Sequence, residues 1–140
     1  MEIISEYHAE MAALFARVFL GLLFFFQGYD AVVKIGMRES VEAIRLPLGG
    51  KGIPDFMIVL GTWFNSYVEL ICGALLIFGL FQFASMYLLG ITLLVASIGF
   101  GIHTALWDTK NVMPRLLLLI FLLAVPEHWH LFSIDTLLFR

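Results

Sequence analysis

Long apolar runs dominate this 140-residue sequence and limit the folds that are open to it. A helix needs about 20 mostly apolar residues to cross the roughly 30 Å hydrocarbon core of a bilayer. Four stretches approach that length, at residues 11–36, 56–81, 84–107 and 112–126. Hydrophobic residues make up 61% of the chain, more than one small core can bury. The sequence therefore predicts a single all-α integral membrane domain, a bundle of four transmembrane helices.

The connections between these predicted helices differ in length and character. Residues 38–46 place Val41, Ile44 and Leu46 among charged residues, which predicts a short amphipathic helix between the first and second spans. The Pro- and Gly-rich run at residues 47–54 is expected to break that helix. The other two connections are short, so helices two, three and four should be antiparallel neighbours. Pro126 should either kink the fourth helix or begin a new one.

Charge and cysteine content exclude several classes of protein. The net charge is −3 and no basic patch is present, so nucleic acid is not an expected partner. Cys72 is the single cysteine, which excludes an intrachain disulfide and a paired-cysteine redox motif. Because basic residues concentrate in loops one and three, the positive-inside rule places those loops in the cytoplasm and both termini outside. The residues are Lys34, Arg38, Arg45, Lys51, Lys110 and Arg115.

A few ionisable residues interrupt the apolar spans, and each is a candidate for function because a charge at membrane depth is costly. They are Arg17 in the first span, Glu69 in the second and His103 in the third. Small and polar neighbours at helical spacing predict that all three point into the bundle, where Arg17 and Glu69 can pair. Asp30 and Lys34 are spaced for an i,i+4 ion pair. The polar stripe of the second span consists of Thr62, Asn65, Glu69 and Gly73.

Two interpretations of these residues remain open, one structural and one chemical. A buried Arg–Glu pair with small-residue stripes can simply fix how the helices pack. Alternatively, Glu69, Arg17 and His103 can form a proton relay or a site for a quinone head group, or part of an ion path. His128 and His130 are weak metal candidates, because residues two apart face different sides of a helix and no third ligand is evident. No cofactor is assigned; a quinone or a structural lipid is the kind of molecule such a bundle would hold.

Several of these residues also carry a resemblance to a known family. Residues 17–28, followed by Lys34, resemble the first helix of the DoxX family, and residues 69–80 resemble its second helix. Asn111 and residues 132–138 resemble its C-terminal end, where a Ser-Leu-Asp type motif follows the last helix. The chain departs from the family pattern in two places. No Arg follows Leu80, and residues 126–130 replace a Gly-x-Gly, an altered end that suggests a docking surface for a particular partner.

The resemblance implies a four-helix membrane bundle linked to redox complexes, because the founding members are membrane subunits of a thiosulfate:quinone oxidoreductase. It implies a bacterial or archaeal cytoplasmic membrane, with the lipid bilayer and other membrane subunits or further copies as partners. We expect a non-catalytic accessory subunit of a respiratory or electron-transport assembly, not an enzyme on its own. The alternatives are a quinone-linked oxidoreductase component and a small transporter. Only four spans and no inverted repeat argue against the transporter.

Overall fold

The computed structural model describes residues 6–103 and 112–139, which contain helices and no strand. The longest elements are α1 (His8–Tyr29), α3 (Asp55–Phe78) and α4 (Gln82–His103). A π-helical segment (Asp30–Gly36) leads from α1 into α2 (Met37–Leu48). After α5 (Met113–Ala124), the chain forms a 3₁₀ turn (Glu127–His130) and a short α6 (Ile134–Leu138).

Three of the described helical stretches are long and apolar enough to cross a membrane: His8–Leu48, Asp55–Phe78 and Gln82–Ile102. The fourth predicted span is shorter than expected, since α5 has 12 residues. At 1.5 Å per residue, this is roughly 18 Å, well below the roughly 30 Å of the hydrocarbon core. The all-helical membrane architecture is confirmed, and the count of four spans is not. Pro126 begins the 3₁₀ turn after the extended Val125, one of its two predicted roles.

The antiparallel helices α1 and α3 pack most closely, and glycine makes the approach possible. A Cβ atom on Gly73 would lie 2.5 Å from the backbone nitrogen of Phe25. One on Gly28 would lie 2.4 Å from the backbone nitrogen of Leu70. Real Cβ atoms do not come this close to backbone, so the two helices touch main chain to main chain only because both positions lack a side chain. Within this pair, the prediction that small-residue faces pack between helices is confirmed.

The amphipathic helix between the first two spans is present as α2, which buries Ser40, Val41 and Leu48. The chain turns into it at Gly36, whose φ of 91° suits glycine. Arg45 holds α2 to the start of α3 through hydrogen bonds of 2.6 and 3.0 Å to the carboxylate of Asp55. The expected break within residues 47–54 is confirmed, since the helix ends at Leu48, one residue after Pro47. A proline so close to the C-terminal end disturbs little helix beyond it.

Four of the described helices share one apolar core, and they also expose large apolar side chains outward. Core residues come from α1, α3, α4 and α5, so the short helix α5 belongs to the bundle. They include Leu20, Phe24, Cys72, Leu76, Met86, Leu89, Leu93, Leu119 and Leu122. Phe15, Leu60, Leu94 and Leu117 are more than half exposed. Such a surface is stable against lipid rather than water.

Candidate functional site

The predicted pair of Arg17 and Glu69 does not form, because the antiparallel packing of α1 on α3 separates the two residues. Arg17 lies beside the turn that ends α3, where a Cβ on Gly79 would be 3.1 Å from its guanidinium carbon. Glu69 instead meets Gln27, whose Nε2 donates a hydrogen bond of 3.0 Å to Oε1. Residues 17 and 27 are separated by roughly 15 Å of helix. The described part of the bundle therefore has one polar cluster at each of these two levels.

Arg17 joins the first helix to the C-terminal segment and to α4. Its side chain is only 2% exposed. Nη2 donates to the backbone carbonyl of Phe132 at 2.6 Å, and Nη1 donates to Oε1 of Gln82 at 3.4 Å. The planar guanidinium presents several N–H donors at fixed angles, so it can hold acceptors from two elements at once. The net effect is that a buried cation ties the end of the chain to the bundle.

Asp135 makes the same connection from the other side. Its carboxylate accepts hydrogen bonds of 2.9 Å from the backbone N–H groups of Phe81 and Gln82, at the start of α4. The N–H of Asp135 in turn donates to the carbonyl of Gly79 at 3.0 Å. Acidic groups at a helix N-terminus satisfy unpaired N–H groups and complement the helix dipole. We call Arg17, Gly79, Gln82, Ser133 and Asp135 the C-terminal clamp.

The clamp explains why two separate sequence motifs behave as one structure. Gly79 ends α3 with a left-handed φ of 70°, and the N–H of Leu80 returns to the carbonyl of Leu75 at 2.9 Å. A Cβ on Gly79 would lie 2.8 Å from Cβ of Ser133, so glycine is needed for contact as well as for conformation. Ser133 starts α6 by accepting the N–H of Thr136 at 3.3 Å. The Gly-Leu and Ser-Ile-Asp motifs therefore meet in space.

The two histidines of the 3₁₀ turn occupy different surroundings. His128 is exposed beside Trp129, whereas His130 is 3% exposed and packs edge-on against Phe83. Nε2 of His130 lies 3.2 Å from the carbonyl of Leu122, so it carries the proton and donates. Burial lowers the pKa of His130, and the bond to Leu122 opposes that shift. Across residues 6–103 and 112–139, no three His, Cys, Asp or Glu residues lie together as a metal site.

The second cluster contains Glu69, Gln27 and Arg115, and we call it the Glu69 cluster. Glu69 is 5% exposed and bonded to Gln27. The positive charge of Arg115 interacts electrostatically with Glu69. The guanidinium carbon of Arg115 lies 5.6 Å from the centre of the Phe24 ring. Sequence reasoning missed Gln27 and counted Arg115 among the basic residues of the loops. The signal was present, since both are polar residues within or beside otherwise apolar runs.

The remaining predicted residues are not gathered at one site. Nδ2 of Asn65 approaches the carbonyl of Thr92 on α4 at 3.5 Å. The Thr62 hydroxyl donates to Ile58 within α3 at 2.8 Å, and Gly73 contacts α1. The polar stripe of the second span therefore divides between two neighbouring helices. His103 is the last described residue of α4, and its side chain lies outside the described residues, as does Asn111.

These observations define a small, helical integral membrane protein with internal polar clusters. A family model, DoxX, matches residues 12–103. The chain belongs to the DoxX family. The match includes Arg17, Glu69 and Gly79 and ends before the C-terminal half of the clamp. Searches of curated proteins and of solved structures gave no match.

Proposed function

We propose that this protein is a non-catalytic accessory subunit of a membrane-bound redox complex. The observation that carries the proposal is the structural role of Arg17. Its buried guanidinium joins Phe132 and Gln82, so this intramembrane charge serves to hold the chain together. An arginine also stays protonated at physiological pH and makes a poor proton carrier. Membership of the DoxX family, which is often linked to redox complexes, supports the kind of assembly.

The outer surface of the bundle supports contact with other membrane subunits or further copies of the chain. Trp63 and Tyr67 form an exposed stacked pair on α3, with ring centres 5.5 Å apart. Exposed aromatic residues of this kind are common at protein interfaces. In the proposed orientation the basic end of the bundle faces the cytoplasm of a bacterial or archaeal cell. The C-terminal clamp then lies toward the opposite face.

The test is purification of the tagged full-length chain from its own membranes in mild detergent. An accessory subunit should co-purify with partners that carry redox cofactors. A stable isolated chain that reduces a quinone analogue by itself would contradict the proposal.

A quinone-linked oxidoreductase component is the second candidate, favoured by the Glu69 cluster. Gln27 and Arg115 line an open groove beside Glu69, and both side chains can donate hydrogen bonds to carbonyl oxygens. This arrangement replaces the predicted site of Glu69, Arg17 and His103, because Arg17 lies at another level of the bundle.

Glu69→Gln in the assembled complex separates the two candidates. An accessory subunit predicts wild-type quinone reduction by the Glu69→Gln complex. The second candidate predicts an intact complex that has lost quinone reduction, because the amide cannot take up a proton. Glu39→Gln, at an exposed position of α2, is the matched control and should change neither assembly nor rate.

A further inference from the structure

An open groove of about 650 Å³ runs along the outer face of α1 and into the π-helical segment. One part of its lining is apolar and the other part is polar. Phe19, Leu22, Leu23 and Phe26 form the apolar wall, and Gln27, Asp30 and Arg115 form the polar end. None of the clamp residues contributes to it.

The groove has the length and placement expected for one lipid chain. From Phe19 to Asp30 the helix rises by roughly 17 Å, about half of the hydrocarbon core and therefore about one leaflet. Its polar end lies where α1 gives way to the segment that contains Lys34 and leads to the surface helix α2. The apolar wall thus runs from the depth of lipid head groups toward the middle of the bilayer.

The charges at the polar end leave one cation open to a ligand. Asp30 is already neutralised by Lys34, whose Nζ lies 2.8 Å from its carboxylate. Glu69 is buried behind Gln27 and interacts electrostatically with Arg115, but no ion pair or hydrogen bond joins the two residues in the described part of the chain. The Arg115 guanidinium likewise makes no hydrogen bond with any described residue. Arg115 is half-buried beside Phe24 and lines the groove, so its N–H groups are available to a ligand bound there.

We propose that this groove binds an anionic phospholipid, with the phosphate at Arg115 and one acyl chain along the wall of α1. A free anion would bind Arg115 but would leave the apolar wall without a ligand. A zwitterionic lipid would fill the wall but present a cationic group beside Arg115. Only an anionic lipid satisfies both parts, as in basic pockets between membrane helices. The site does not depend on the accessory role proposed above, and it occupies the same groove as the quinone-linked alternative.

Native mass spectrometry of the purified full chain tests the site with equal amounts of phosphatidylglycerol and phosphatidylcholine that carry the same acyl chains. We expect phosphatidylglycerol to be retained roughly fivefold over phosphatidylcholine, the ratio expected from one added charge contact. Arg115→Gln should abolish this preference, and Arg115→Lys should keep most of it. Arg38→Gln removes the same charge from an exposed position of α2 and should leave the preference unchanged.

A second variant addresses the apolar wall without changing any charge. Leu22→Trp fills the groove from a partly exposed position, so it should reduce retention of both lipids while the helix content stays constant. Equal retention of the two lipids by the wild type would overturn the proposal. So would an equal loss of preference in Arg38→Gln and Arg115→Gln. Displacement of phosphatidylglycerol by millimolar inorganic phosphate would show that Arg115 binds an anion alone and would also overturn it.

Discussion

At the scale of single residues, each buried polar group is best understood through the partner that it holds. Arg17 and Glu69 are both buried charges in apolar helices, yet their surroundings differ. Arg17 bonds to the C-terminal segment and α4, whereas Glu69 bonds to a glutamine on α1 that lines a groove. Residue type and depth alone do not separate a structural charge from a ligand-facing one.

Arg17→Leu should strongly destabilise the protein. The carbonyl of Phe132 would lose its charged donor, and an unsatisfied buried polar group of this kind costs about 1–3 kcal/mol. We expect the free energy of unfolding to fall by that amount. Unfolding in detergent, monitored by circular dichroism, measures it. Arg38→Gln is the control and should change stability by less than about 0.5 kcal/mol. Equal stabilities for the wild type and Arg17→Leu would show that the clamp contributes little.

His130 should make stability depend on pH. Burial lowers its pKa in the folded protein, so the unfolded chain binds the proton more readily. The contribution of neutral His130 to the free energy of unfolding is therefore complete above the pKa of the unfolded chain, about 6.5. That contribution is lost as the pH falls through the lower pKa of the folded protein. Unfolding measured between neutral and mildly acidic pH should show this loss in the wild type and a smaller one in His130→Gln. His128→Gln, at an exposed neighbour, should keep the wild-type slope; identical slopes in all three proteins would exclude His130 as the cause.

At the scale of helices, close packing and capping decide how the elements meet. Gly28 and Gly73 bring α1 and α3 together, and this contact sets which residues of the two helices face each other. The carboxylate of Asp135 begins α4 from a distant part of the chain. The glycine contact and the Asp135 cap each depend on a few atoms, so single conservative substitutions can test them.

Gly73→Ala should destabilise the helix pair, although alanine is the better helix former. Its Cβ would overlap the backbone of Phe25, and overpacking of this kind costs about 1–3 kcal/mol. Gly61→Ala is a matched control on the same helix, because nothing lies within 4 Å of the added Cβ. That control should be neutral or stabilise by up to about 1 kcal/mol. Thermal unfolding in detergent gives both values, and a neutral Gly73→Ala would contradict the observed packing.

Asp135→Ala should loosen the start of α4. Two backbone N–H groups would lose their acceptor, and loss of such a cap costs about 0.5–2 kcal/mol. Hydrogen exchange at the amides of Phe81 and Gln82 should become faster, while exchange in the middle of α4 stays slow. Glu127→Gln changes an exposed acidic residue nearby and should leave these rates unchanged. Unchanged exchange in Asp135→Ala would show that the amides find other acceptors.

At the scale of the whole molecule, α5 determines whether the chain crosses the bilayer a fourth time. The helix is short, yet the segment after it packs against Arg17, so the chain returns to the Arg17 level of the bundle. The 3₁₀ turn lies against α1, and α6 lies against the turn between α3 and α4, which leaves less depth for α5 to cover. The four-span topology therefore predicts opposite membrane sides for α2 and the 3₁₀ turn.

Cysteine labelling in sealed vesicles tests that topology. Glu39→Cys in α2 and Glu127→Cys after α5 are both exposed, whereas the native Cys72 is buried. A membrane-impermeant maleimide should label the two variants from opposite sides. Glu39→Cys should react from the cytoplasmic side, as the distribution of basic residues predicts. Labelling of both from one side would show that α5 does not cross.

Hydropathy and spacing were sufficient to predict the helical membrane architecture, the surface helix α2 and the glycine-mediated packing. These features depend on neighbours along the chain, because a helix forms from local hydrogen bonds and an apolar run of sufficient length needs lipid or core. Asp30 and Lys34 form their predicted pair for the same reason, being one turn apart. The family motifs were likewise visible as short strings of residues.

The tertiary structure alone decided which distant residues meet. Arg17 bonds to Phe132 rather than Glu69, and Asp135 caps a helix that begins more than fifty residues earlier. Such partners depend on the relative register of packed helices, and a shift of one turn along either helix changes every pair. A single sequence carries no record of that register. The sequence therefore determined a membrane bundle with a few buried charges, and the packing of α1 on α3 determined what each charge holds.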